Sequence, residues 1–392
     1  MPDFSNVDAA LRRRIEEEEL AGVSYAVLRG TGLLARKCLG WADREARQPL
    51  REDHLFRAYS NTKLVTSCAA LRLVEQGRIG LDDPVGEYIP ALRALRVLRA
   101  GATSLDDTEP LREPVRLRHL LTHTAGFTYA FLQPDAPIAK AYMAAGMADP
   151  ALTLAQMTDA LAALPLLFQP GADWNYSVAT DVMGRVIEVA TGEALDAHLQ
   201  RHVFEPLGLH DTFFFVPPSR QARLARLYVG DLRDPLKRGL RRIEDPRYDE
   251  SFLRRVPRLN AGGGLVTSLD DFSRLLSVLA DGGAPLLQAR SLPLLFDNQL
   301  PAGLWIGFPT APRIVGRGHS HAGSVTVEAS DADPSSAPGD LQWGGLAGTK
   351  WWIWPERKVC AVLMTQRYMG SDLPFWPEFQ AGVRAAIEAG SD

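Results

Sequence analysis

Apolar and polar positions follow two rhythms along the chain, and the changes of rhythm divide it. Val7, Leu11 and Ile15 recur at helical spacing, which predicts an opening amphipathic helix. The apolar runs GVSYAVLRG and LLARKCLGWA follow with GTG between them, a pattern that predicts a β-hairpin. The stretch LFRAYSNTKLVTSCAALRLVEQG, Leu55 to Gly77, enters a helix that is apolar on most sides and stops at a glycine suited to the C′ position. From residue 81 to residue 300 the signals are mostly helical with many proline and glycine breaks. SVATDVMGRVIEVATGE and SLDDFSRLLSVLADGG are the clearest helices there, the second opening on Ser268 with Asp270 and Asp271 in its first turn.

Strand signals return after residue 300. TKWWIWPE and KVCAVLMTQ predict a hairpin turning at Pro355-Glu356, PEFQAGVRAAIEAG predicts a closing helix, and residues 326–341 read as a polar loop insertion. No internal repeat is visible. Strands at both ends with helices between them predict an α+β fold. One antiparallel sheet is drawn from both termini and flanked by terminal helices, and a mainly helical lobe is inserted. The expected division is an α/β lobe of residues 1–80 and 301–392 and a helical lobe of residues 81–300.

Length agrees with two lobes, since 392 residues exceed what one core usually holds. Apolar residues at 46% and a net charge of -4 fit a soluble globular protein. They give no footprint for nucleic acid or an anionic membrane. Cys38, Cys68 and Cys360 are far apart and form neither a C-x-x-C pair nor a disulfide framework, which suits a reducing compartment. The opening MPDFSNVDAALRRRIEEEEL lacks the apolar core of a signal peptide, and no run approaches the length of a membrane span. The expected location is the cytoplasm. Nothing in the composition sets an oligomeric state.

Three stretches carry candidate chemistry. Ser60 and Lys63 stand one helical turn apart in the only S-x-x-K of the chain. A serine at a helix start is a weak nucleophile that an adjacent lysine can activate. An N-cap serine with a snorkelling surface lysine would give the same spacing, but Leu64, Val65, Cys68, Ala69, Leu71 and Leu73 make the surroundings apolar. In FQPGADWNYSVATD, Tyr176 precedes a helix and offers either a phenol for proton transfer or a half-buried core ring. In LQWGGLAGTKWWIW, paired glycines before a strand allow a backbone N–H to approach a ligand, or simply a tight hairpin entry. His198 and His202 share a helix face, as do His119 and His123, but neither pair is H-E-x-x-H, and no metal is assigned. No G-x-S-x-G is present.

Taken in this order, LFRAYSNTK, GRIGLDDPVGEYIP, LRHLLTHTAGF, PGADWNYS, GGGLVTSLDDFSRLL and WGGLAGTKWWIWPE span most of the chain. Together they resemble the serine β-lactamase and penicillin-binding-protein superfamily, and within it most closely the class C-like esterases, the family VIII carboxylesterases. The resemblance implies a β-lactamase-like fold with the active site in the cleft between the lobes. It implies that Ser60 is the nucleophile, that Lys63 is its partner base, and that Tyr176 is the motif tyrosine, with Val178 where β-lactamases carry asparagine.

The K-T-G box of β-lactamases is met by Trp343-Gly344-Gly345, which would line the substrate site. The backbone N–H groups of Ser60 and Leu346 would then form the oxyanion hole. His321-Ala322-Gly323 is a second, lower-ranked match to that box. The expected activity is hydrolysis of small-molecule carboxylic esters with small or medium acyl groups, through an acyl-enzyme on Ser60 and without a cofactor. The alternatives are a β-lactamase or D-Ala-D-Ala-type peptidase, an acyltransferase with the same residues, and a non-catalytic binding module. Trp343 stands where the box lysine would grip a carboxylate, which disfavours β-lactams. Lys63 and Tyr176 would titrate as a coupled unit, so either can be the proximal base.

Overall fold

The computed structural model describes residues 2–390 apart from 232, 235, 236, 309–311, 332, 371 and 372. Among the described residues its main sheet has eight strands. In spatial order they are Arg317–His319, Ser324–Thr326, Leu341–Gly344, Lys350–Trp354, Val359–Thr365, Gly22–Arg29, Gly32–Asp43 and Gln48–Pro49. All neighbours are antiparallel. The N-terminal hairpin joins the C-terminal one directly, with Val23 opposite Thr365 and Arg29 opposite Val359.

Successive side chains of a strand point to opposite faces, and both faces of this sheet are covered. Val23, Tyr25, Val27, Trp352, Trp354, Val359, Ala361 and Leu363 form one face. It packs on Val7 and Leu11 of the helix Ser5–Glu16 and on Phe379, Val383 and Ile387 of the helix Phe375–Ala389. Ala26, Leu28, Trp351, Ile353, Cys360, Val362 and Met364 form the other face. It meets the helices Thr62–Glu75 and Leu269–Ala280. Burial on both sides is why KVCAVLMTQ reads as an unbroken apolar run.

The helix Leu269–Ala280 lies inside the mainly helical stretch of the sequence yet packs on the sheet. Ser268 caps it by accepting the Asp271 N–H at 3.1 Å. The strand Val266–Ser268 just before it pairs with Leu55–Arg57, the strand that leads into Ser60. Arg57 is fully buried there and donates to Ala225 O and Gln366 Oε1, each at 2.8 Å, and to Asp249. Its charge is therefore paired, as burial requires.

The segment 326–341, expected as an inserted polar loop, is a loop that connects two paired strands. Thr326 ends one strand and Leu341 begins the next. Asp340 within it is buried, accepts the Ala337 N–H at 2.8 Å and is held by Arg384 of the closing helix, while Glu328 and Asp331 are exposed.

Candidate active site

The chain turns sharply just before Ser60. Tyr59 has a φ of 44°, a left-handed conformation that costs a non-glycine residue about 1–2 kcal/mol. Such strain persists only where the surroundings over-determine it, and it clusters at functional sites. Here the Tyr59 ring packs edge-on to Phe252 at 5.6 Å. On either side, the Ala58 N–H donates to Leu265 O at 2.9 Å and Thr62 Oγ1 accepts the Leu265 N–H at 3.1 Å. Ser60 sits in a short 3-10 turn, Tyr59–Asn61, that runs straight into the helix Thr62–Glu75.

Lys63 is 4% exposed. Its ammonium donates to Gly262 O at 2.6 Å and to Tyr129 Oη at 3.1 Å, and lies 4.6 Å from the centre of the Tyr176 ring. Ser60 Oγ instead receives a hydrogen bond from the Tyr176 hydroxyl, at 2.6 Å. Ser60, Tyr176 and Lys63 are therefore brought together, with Tyr176 as the direct neighbour of the serine.

Tyr176 comes from the loop ahead of the helix Ala179–Thr191. That loop is anchored by the Asn175 N–H to His123 O at 3.0 Å, by Asn175 Nδ2 to Phe127 O at 2.9 Å, and by a 3.2 Å contact of His123 Nδ1 with Ser177 Oγ. Rings of Tyr129, His123 and Trp343 surround the Tyr176 ring at 5.1, 5.0 and 5.4 Å. Trp343 thus lines the site, on the strand Leu341–Gly344. Gly344 closes that strand opposite Lys350.

Gly345 lies against the serine segment, where a Cβ would collide with the Ala58 carbonyl and with Thr349 Oγ1. In the turn that follows, Leu346 is half-buried, and its N–H meets no acceptor among the described residues. An unpaired N–H beside a candidate nucleophile is the kind of donor an oxyanion requires. The prediction for Gly345→Ala is a loss of turnover larger than its loss of stability, because the Cβ would push the 345–349 turn off the serine segment. Paired measurements of kcat and melting temperature check this, and unchanged kcat would refute it.

The second box match, His321-Ala322-Gly323, lies in the turn between the strands Arg317–His319 and Ser324–Thr326. His321 Nδ1 is 3.0 Å from Leu294 O, and burial lowers its pKa to about 4, so it is no cation for a carboxylate at neutral pH. His319 faces the aromatic wall instead, 5.4 Å from both Trp343 and His123. It too is neutral, its pKa lowered by burial to about 3. Burial, His319 and Lys63 hold His123 well below the ordinary imidazole value.

Three residues of the site were missed by sequence reasoning. Tyr129 shares Lys63, and burial, with Asp181 and Tyr176 nearby, raises its hydroxyl well above the ordinary phenol value. Gly262 supplies the carbonyl for Lys63. A Cβ on it would stand 2.9 Å from Asp181 Oδ2, 2.9 Å from Tyr129 Oη and 3.2 Å from Lys63 Nζ, so only glycine fits. Asp181 is buried, which pushes its carboxyl up, while Lys63 and the Gly262 N–H pull it down. The glycine run in NAGGG was the available signal.

The Beta-lactamase family model matches residues 7–381. The chain belongs to the beta-lactamase family. Protein Rv1367c of Mycobacterium tuberculosis is 33% identical, covering 91% of this chain and 88% of its own length. Esterase EstB of Burkholderia gladioli is 31% identical, covering 92% and 90%. Among solved structures, EstCE1, described as a hydrolase with promiscuous acyltransferase activity, superposes with a TM-score of 0.83 at 28% identity, covering 96% of this chain and 97% of that one. The β-lactamase-like fold expected from the sequence is therefore present, with its large antiparallel sheet and mixed helices.

Proposed function

We propose that the protein is a serine hydrolase that cleaves carboxylic esters of small or medium acyl groups through an acyl-enzyme on Ser60. The observation that carries this reading is the 2.6 Å hydrogen bond between Tyr176 and Ser60 Oγ, with the Lys63 ammonium over the phenol ring. The likeness to EstB and EstCE1 supports the ester class.

In the proposed reaction the Lys63–Tyr176 pair, one proton short of fully protonated, takes the Ser60 proton through Tyr176 Oη as Oγ attacks the ester carbonyl. The N–H groups of Ser60 and Leu346 hold the oxyanion. Collapse expels the alcohol, which leaves with the proton from Tyr176. Water then attacks the acyl-enzyme by the same route reversed, releasing the acid and restoring Ser60. Neutral Tyr129 and the Gly262 carbonyl hold Lys63 in place over the ring. The substrate cleft is proposed to lie between residues 81–300, which supply Tyr176, and the terminal lobe of residues 1–80 and 301–392, which supplies Ser60 and Trp343.

Among the described residues no helix is long and apolar enough to cross a membrane. Free thiols at Cys38, Cys68 and Cys360 support a cytoplasmic location. A second reading, acyl transfer to an alcohol, is favoured by the activity in the EstCE1 description. Adding a competing alcohol and measuring the ratio of new ester to free acid separates the two. The class itself is tested with p-nitrophenyl esters of rising acyl length beside a chromogenic cephalosporin. Efficient cephalosporin turnover with little ester turnover would overturn the ester reading.

Trp343 sets the preference for uncharged substrates in this proposal. An indole offers an apolar wall and one N–H donor but no charge. The neighbouring His319 and His321 are neutral, so a carboxylate entering beside them would lose hydration without gaining a cation. The expected outcome for Trp343→Lys is a fall in kcat/KM for neutral esters and a rise in its ratio for carboxylate-bearing substrates. An unchanged ratio would remove Trp343 as the selectivity element.

A further inference from the structure

A second cluster of chemistry-bearing side chains lies away from Ser60, where the helix Ala179–Thr191 ends. Gly192, with a φ of 73°, turns the chain there, and the Glu193 N–H is fixed on Thr191 Oγ1 at 3.2 Å. The helix Leu195–Leu199 follows and runs into a π-helical turn, Gln200–Phe204. His198 stands on the first and His202 on the second. Insertions of this kind in a helix are frequent at functional sites.

The three side chains converge. His198 Nδ1 is 3.4 Å and His202 Nε2 is 3.9 Å from the same oxygen, Glu193 Oε2. One donor atom from each residue lies within 4.8 Å of the others. A tetrahedral ion with bonds of about 2.0–2.1 Å has ligand-to-ligand edges of about 3.3–3.4 Å. The His198 edge already has this length, and the His202 edge needs closing by about half an ångström on the same geometry.

An independent observation points to a ligand. His198 is 2% exposed, its Nε2 has no hydrogen-bond partner, and its Nδ1 and Glu193 Oε2 meet only each other, at 3.4 Å and without hydrogen-bond alignment. Buried polar atoms are nearly always well paired, so Nδ1 and Oε2, poorly aligned on each other, ask for a ligand that would satisfy both. Glu193 uses its other oxygen, Oε1, for Arg201, which leaves Oε2 available. His202 and Glu193 are partly exposed, with side-chain accessibilities of 32% and 27%, so the cluster lies just beneath the surface.

We propose that Glu193, His198 and His202 form a binding site for a divalent first-row transition ion of the zinc type, with water completing the coordination. Two imidazoles and one carboxylate select zinc, copper or nickel over magnesium and calcium, which prefer all-oxygen shells. The negative end of the Ala179–Thr191 helix dipole favours a cation beyond its last turn. Two guanidiniums oppose it: Arg201 on Glu193, and Arg78, which donates to Ala190 O at 2.6 Å. The balance is reversible binding.

The ion's role is structural. It staples the end of the Ala179–Thr191 helix to the next helical segment, while Tyr176 precedes the opposite end. The helix has 13 residues and so separates the two sites by roughly 20 Å.

The test uses the full, tag-free chain after dialysis against a chelator. Calorimetric titration with zinc should show one equivalent bound, and cobalt should give the visible absorption of a low-coordinate site. Zinc at about a hundredfold excess over its dissociation constant should raise the melting temperature by about 3 °C. Ester turnover at room temperature should be the same with and without the ion. His202→Ala, at a partly exposed position, and Glu193→Gln should each abolish stoichiometric binding, while His210→Ala, at a surface histidine, should leave it intact. Absence of stoichiometric binding, or binding that survives both ligand substitutions in folded protein, would overturn the proposal.

Discussion

Ser60→Ala is expected to abolish ester hydrolysis in a protein that melts close to the wild-type temperature. The side chain contributes one hydrogen bond, from Tyr176, and sits half-buried at the site rather than in the core. Losing such a bond costs about 1 kcal/mol of stability. Losing the nucleophile of an acyl-transfer enzyme costs about 10⁶ in turnover. The two effects differ so widely that one preparation separates them, with activity and thermal melting measured side by side. A serine-reactive phosphonate should add to the wild-type chain once, on Ser60, and should leave Ser60→Ala unlabelled. Near-native turnover by folded Ser60→Ala would refute the assignment.

Tyr176→Phe should lower kcat by about 10²–10⁴, the range for loss of a positioned acid–base group. The phenyl ring keeps its contacts with Tyr129, His123 and Trp343, so KM should move little. What disappears is the hydroxyl against Ser60 Oγ. Tyr129→Phe is the matched control, because its hydroxyl touches Lys63 and is not the group bonded to Ser60. That variant should lose much less turnover. If Tyr176→Phe retains most of its activity while Lys63→Ala does not, the proton leaves Ser60 through Lys63 and Tyr176 is a wall of the pocket.

How much of this was readable in the sequence depended on how locally each feature is specified. Ser60 and Lys63 lie within one helical turn, so their proximity follows from spacing alone. The sheet strands declared themselves because burial on both faces leaves unbroken apolar runs such as Val359–Thr365. Tyr176 and the Trp343-Gly344-Gly345 turn were legible as motifs. The contact between Tyr176 and Ser60 joins segments 116 residues apart and was not derivable from either one. Tyr129, Asp181 and Gly262 escaped for the same reason, since each is set by a different long-range packing. His321 rather than His319 drew notice because it matched a motif, but the turn between two strands decides which ring faces the site. Likewise the His198–His202 pair was visible at helical spacing, whereas Glu193 joins it only because the chain reverses at Gly192.

The order of the main sheet has a consequence for how the chain is made. The strand Gly22–Arg29 pairs on one side with Gly32–Asp43, which follows it at once, and on the other with Val359–Thr365. At about 5–20 residues per second, that second partner leaves the ribosome roughly 15–65 s after the first hairpin. During that interval one edge of an apolar hairpin is unpaired, a template for unwanted strand addition. Slow, non-local closure of this kind favours aggregation at high expression. Catalysis is also withheld from the growing polypeptide, because Ser60 is made early while the Trp343–Leu346 turn that completes its surroundings arrives with the last eighth of the chain, so a prematurely terminated product would be inert as well as sticky.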